Sequence, residues 1–172
     1  MRALLVHFLP DFGTVGPMLD SFDHALLNAV QQDDSRTAEE LAEQVPLSPS
    51  AIARRLRRLR AEGWIGRTIA LLSNRLTERR LRALVLVQLS EHADQRGKEA
   101  LRQRLATSPE VQFVYEISGN YDLLLLLNCT DMDRFVETAE SLLACDATVR
   151  RYETSFVKRE MKFAPFVRLG EA

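Results

Sequence analysis

The sequence predicts an α+β chain: a three-helix helix-turn-helix domain followed by a βαββαβ, ferredoxin-like α/β sandwich. Three observations predict it. Residues 47–65, LSPSAIARRLRRLRAEGWI, set an apolar stripe of Ile52, Leu56 and Leu59 against a face of arginines. A short capped helix stands immediately before them. From residue 83 the apolar period turns from helical to extended, beginning with ALVLVQL at 83–89.

Each element has its own signals. Residues 1–18 read as an N-terminal extension. Within it 3–9 suit either a strand or a short helix, and Pro10, Gly13, Gly16 and Pro17 break up the stretch 10–17. Asp20 caps a helix over 21–32 with Phe22, Leu26, Ala29 and Val30 inward. Thr37-Ala38-Glu39-Glu40 is a capping box, and its helix turns Ala38, Leu41 and Val45 inward. Pro46 disfavours helical geometry at Val45 and ends that helix. Ser48 caps the next, Pro49 fits its first position, and Gly63 offers a left-handed stop. Residues 19–72 thus form the first domain, with β-like apolar residues at 64–72, and the polar, basic stretch 73–82 is a linker.

The second domain covers 83–168. A strand at 83–89 precedes a helix over 97–106 with Ala100, Leu101 and Leu105 inward. A strand at 111–118 leads to a hairpin signal at Gly119-Asn120 and the five-leucine strand 123–127. A helix over 131–144 turns Met132, Phe135, Val136, Ala139 and Leu143 inward, and 149–163 is the last strand. The order is that of the split βαβ motif.

Composition narrows the function. The chain has 172 residues and a net charge of −1. As a total that charge says little, but six arginines and one acid between Leu47 and Arg67 make a basic island. Solvated helix faces usually mix signs for i,i+4 pairing, and this one hardly does. Cys129 and Cys145 have no metal-type spacing and read as reduced thiols of a cytoplasmic protein, with no metal or cofactor implied. No apolar run approaches the length of a membrane span. The opening MRALLVHFLPDFG is too short and too weakly basic for a signal peptide.

Two helices joined by so short a turn place the second in the DNA major groove. The candidate DNA-contacting residues are Ser48, Ser50, Ala51, Arg54, Arg55, Arg57 and Arg58. Ser50 and Arg54 lie in the N-terminal half, where base edges are reached. Arg57 and Arg58 lie further along, toward phosphates. Arg67 either touches a phosphate or is an ordinary surface arginine.

The second domain carries a separate signal. Two helices cover only one face of a four-stranded sheet, so its strands should alternate apolar and polar. The first strand and the leucine run are instead apolar on both faces. The open face is therefore expected to meet a second copy of the chain.

These residues resemble the Lrp/AsnC (feast/famine) family of transcriptional regulators. The resemblance covers about 19–166. It is carried by LDSFDHALLNAVQQD, the TAEELAEQVPLSPSAIARRLRRLRAEGWI block, ISGNYDLLL and VRRYETSF. Pro46 stands where the family usually has a turn glycine, Asn120 where an acid is common, and the linker lacks the usual glycine. The resemblance implies a sequence-specific regulator that binds double-stranded DNA, forms homodimers and assembles up to octamers. It also implies an amino acid or related effector held between subunits by Gly119, Asn120, Tyr121, Asp122, Thr154 and Ser155. Asp122 suits the ammonium group, and the Gly119-Asn120 turn suits the carboxylate. Alternatively Gly119-Asn120 is only a hairpin turn and the protein an effector-independent architectural DNA binder. Some haem-pathway decarboxylases share the fold, but His7, His24 and His92 are scattered and the arginine face is intact, so an enzyme is not expected.

Overall fold

The computed structural model describes residues 18–170; the expected N-terminal extension lies outside them except for Met18. Within the described residues the chain forms two compact units. One is Leu72–Met161. The other joins residues 18–71 to residues 162–170.

The discontinuous unit contains α1 (Ser21–Gln32), α2 (Ala38–Ala42) and α3 (Pro49–Ala61). Asp20 caps α1 in a reciprocal capping box with Asp23, and Thr37 and Glu40 do the same for α2. Val45 N–H still donates to Leu41 at 2.9 Å, so the chain closes one more turn before Pro46. Ser48 Oγ accepts from Ala51 N–H at the start of α3, and Gly63 takes a φ of 80° just past its end. Leu26, Leu41, Ile52 and Leu59 are fully buried between the three helices. Asp23, an acid, is buried beside them at 1% exposure. Residues 64–72 form no strand; Ile69, Leu71 and Leu72 are exposed.

In the other unit a short helix α4 (Asn74–Thr77) occupies the expected linker, and β1 (Leu81–Leu89) starts two residues earlier than the sequence suggests. Then come α5 (Gln95–Thr107), β2 (Val111–Glu116), β3 (Leu123–Cys129), α6 (Met132–Ala139) and β4 (Val149–Phe156). The sheet is antiparallel in the order β2-β3-β1-β4. This is the βαββαβ arrangement expected. One face packs on the helices: Ala83, Val85, Val87, Leu123, Leu125 and Leu127 meet Leu101 and Leu105 of α5 and Phe135, Ala139 and Leu143 of the α6 segment.

Several inward expectations need correction. Ala100 is exposed, because Leu101 and Leu105 alone carry the buried stripe of α5. Met132 and Val136 are 48% and 43% exposed. They form an i,i+4 stripe on the flank of α6, whose inner face is Phe135, Thr138 and Ala139. Thr138 is tolerated there because its hydroxyl donates to Arg134 O at 2.7 Å. The helix also widens into a π-helical turn at Glu140–Ala144. The last strand stops at Phe156 rather than 163. Val157 N–H reaches Arg82 O at 2.8 Å, and β1, its one ladder partner, runs out there. Both cysteines are free thiols; Cys129 is buried, which pushes its pKa up.

Candidate nucleic-acid interface and effector loop

Two kinds of arginine sit on α3. Arg55 Nη1 donates to Asp20 Oδ2 and to Asp23 Oδ1, both at 2.8 Å. Arg58 Nη2 donates to Asp23 Oδ2 at 2.5 Å. Arg55 also stacks over Phe22, 5.6 Å from the ring centroid. Burial pushes the Asp23 carboxyl upward. The hydrogen bonds from Arg55, Asp20 N–H and Arg58 outweigh it and hold the pKa below the usual aspartate value. Arg60 is likewise held by Asp34 at 2.6 Å, and Thr68 donates to the same carboxylate. These side chains lock α3 onto the rest of its own unit.

Arg54 and Arg57 have no acidic partner among the described residues. With Ser50 they form an exposed stripe at i, i+4 and i+7, about 10 Å long at 1.5 Å per residue. Ser48 Oγ lies 3.2 Å from Ser50 Oγ at its N-terminal end. Ala51 is half-buried and spends its N–H on the cap. Of the seven residues expected at DNA, then, Ser50, Arg54 and Arg57 share one outward face. Arg55 and Arg58 turn to α1, and Ser48 and Ala51 build the helix start.

The loop between β2 and β3 runs from 117 to 122, longer than a two-residue hairpin. Ile117 N–H donates to Asp122 O at 2.9 Å and closes it. Gly119 has a φ of 138°, a conformation side chains resist. The N–H groups of Gly119, Asn120 and Tyr121 find no acceptor among the described residues. Asp122 is fastened to β1: its N–H donates to Val87 O at 2.9 Å, and its Oδ2 accepts from Leu89 N–H at 2.7 Å.

The sheet pleat separates the two β4 candidates. Thr154 pairs with buried Val85 and lies on the helix side. Ser155 pairs with Leu84 on the open side. With Ser155 on that face lie Glu153 and Arg151, which sequence reasoning missed although alternation along β4 pointed to them. Arg151 sits over the Tyr121 ring, 5.5 Å from its centroid, and donates to Gln88 at 2.9 Å. The Glu153 carboxylate beside the Tyr121 hydroxyl, together with desolvation, pushes the hydroxyl's pKa up. Tyr121, Arg151 and Glu153 are therefore one polar group beside the open face. That face carries Leu84, Leu86, Leu124, Leu126, Phe113 and Tyr115, paired strand to strand.

Two family models match this chain. Residues 19–60 match the AsnC-type helix-turn-helix domain, and residues 82–165 match the Lrp/AsnC ligand binding domain. A helix-turn-helix-type transcriptional regulator of Sinorhizobium fredii is 35% identical over 147 residues, 84% of this chain and 85% of that protein. The DNA-binding transcriptional activator DecR of Escherichia coli is 29% identical, over 85% of this chain and 95% of its own. Among solved structures, a transcriptional regulator of Neisseria meningitidis in complex with L-methionine superposes with a TM-score of 0.79 at 30% identity. That match covers 89% of this chain and 97% of the other. Two matched domains in this order, with relatives that share them over most of their length, place the chain in the Lrp/AsnC family of DNA-binding transcriptional regulators.

Proposed function

We propose that α3 reads DNA through Ser50 and Arg54 and takes a phosphate with Arg57, while a free α-amino acid bound at the 117–122 loop adjusts that binding. The carrying observation is the run of three N–H groups at Gly119, Asn120 and Tyr121 without acceptors among the described residues. Successive backbone donors of this kind suit a carboxylate. Glu153 and Asp122 are the anions this reading assigns to an ammonium group. The solved relative in complex with L-methionine supports an amino acid as the ligand class. Ser155 fits this reading through its place on the open face; Thr154 does not line that face.

Two copies pair through the open sheet face in this reading, and pairs assemble further. Six apolar side chains on one open face favour a partner of the same kind. The protein acts in the cytoplasm, where its DNA is, and regulates transcription without catalysing a reaction. Scanning fluorimetry with the common amino acids tests the ligand. A rise in melting temperature with one or a few of them is expected, and it is lost in Asp122→Ala/Glu153→Ala. No shift with any would leave an effector-independent regulator as the better reading.

A further inference from the structure

The C-terminal segment does not end with the sheet. Residues 162–170 return to the helix-turn-helix unit and lie along α1. Gln31 Nε2 donates to Val167 O at 3.0 Å, and Val167 N–H donates to Gln31 Oε1 at 2.9 Å. Asn28 Nδ2 donates to Leu169 O at 2.7 Å, and Leu169 N–H donates to Asn28 Oδ1 at 2.9 Å. Each side-chain amide thus satisfies both backbone groups of one residue, as a neighbouring strand would. Three helical residues rise about 4.5 Å, whereas two extended residues span roughly 6.6 Å. The extra methylene of Gln31 over Asn28 helps make up the difference. Leu169 packs against the unit's core. Gly170, at a φ of 72°, folds against His24, where a Cβ would lie 3.1 Å from Nδ1. His24, Asn28 and Gln31 form an i, i+4, i+7 stripe, so the tail runs antiparallel along one face of α1.

We propose that this stripe is a docking surface for the chain's own C-terminal segment, and that the docked segment is a second tether on the DNA-binding unit. Among the described residues that unit is joined to the ligand-binding unit twice in sequence, at Leu71–Leu72 and at Met161–Lys162. One connection alone would let it sample freely. Two restrict it, which raises the effective concentration of the second α3 once the first is on DNA. The same α1 holds Arg55 and Arg58 of α3 through Asp20 and Asp23, so the tether reaches α3 through side chains on one helix. The inference rests on DNA reading by α3 and on pairing of two copies.

Two full-length variants test it: Asn28→Ala/Gln31→Ala, which removes the amide ladder, and Leu169→Ser, which removes the apolar anchor. Each is measured on a duplex with two half-sites, selected from a random pool by the parent protein, and on its single half-site. Trypsin cleavage after Arg168 reports docking, and thermal melting reports folding. Both variants should be cut after Arg168 faster than the parent and stay within about twofold of it on the single half-site. Both should lose about tenfold or more on the paired site. Parent-like affinity of both for both duplexes would overturn the proposal, as would equal losses on the two. A parent protein that does not prefer the paired site over the half-site refutes instead the underlying reading of paired α3 helices.

Discussion

Arg58 on α3 donates to the Asp23 carboxylate on α1 at 2.5 Å, although both residues carry charge and Asp23 is almost wholly shielded from water. The acid is tolerable there because Arg55, Arg58 and the Asp20 N–H satisfy it together. The arginine-rich helix is thereby divided into residues that hold it and residues that are left to bind.

The first prediction concerns that division. Arg55→Ala should destabilise the DNA-binding unit by about 1.5–3 kcal/mol, the range for hydrogen bonds to charged groups. Calorimetric melting of the full-length protein checks it. Arg54→Ala should leave the melting temperature nearly unchanged.

The second concerns pH. The Asp23 pKa is lowered in the folded state, so its contribution to stability is complete above the unfolded aspartate value of about 3.9. It is lost as pH falls through the lower, folded value. Denaturant melts between pH 7 and pH 2 should show this loss in the parent and a shallower one in Asp23→Asn. That variant should also be less stable at pH 7.

The third separates the faces of the sheet. Leu125 is fully buried against the helices and Leu126 lies on the open face. Leu125→Asp should prevent folding. Leu126→Asp should leave the secondary structure intact but yield monomers by light scattering after size exclusion. A dimer in the Leu126 variant would contradict pairing through this face.

The helix-turn-helix was legible because its signals are local. Asp20, Thr37, Ser48 and Pro49 mark starts within a turn of where they act, and α1 has the bounds its caps predict. The apolar open face was legible because the 83–89 strand and the leucine run fail to alternate, which puts Leu84, Leu86, Leu124 and Leu126 opposite the buried set. What sequence could not show was pairing across elements. Nothing around Arg55 and Arg58 reveals carboxylates 32 and 35 residues earlier. The tail is illegible for the same reason, since side-chain amides that bond to a distant backbone leave no periodicity. Thr154 and Ser155 came together from the family resemblance of their segment, but neighbours in a strand put their side chains on opposite faces.

The fourth prediction tests the roles on the exposed stripe. Arg57→Ala should weaken binding to all duplexes alike and reduce the magnitude of the salt slope by about 1, as loss of one phosphate contact requires. Titrations at several salt concentrations with cognate and random duplexes measure it.

Sequence reading by α3 is tested most directly by a competition titration at fixed salt, selected duplex against scrambled duplex, for the parent and Arg54→Ala. The parent should favour the selected duplex, and the variant should lose about 1–3 kcal/mol on it while holding its affinity for the scrambled one. Equal losses on both duplexes, or a parent that binds both equally, would contradict a base-reading role for this face of α3.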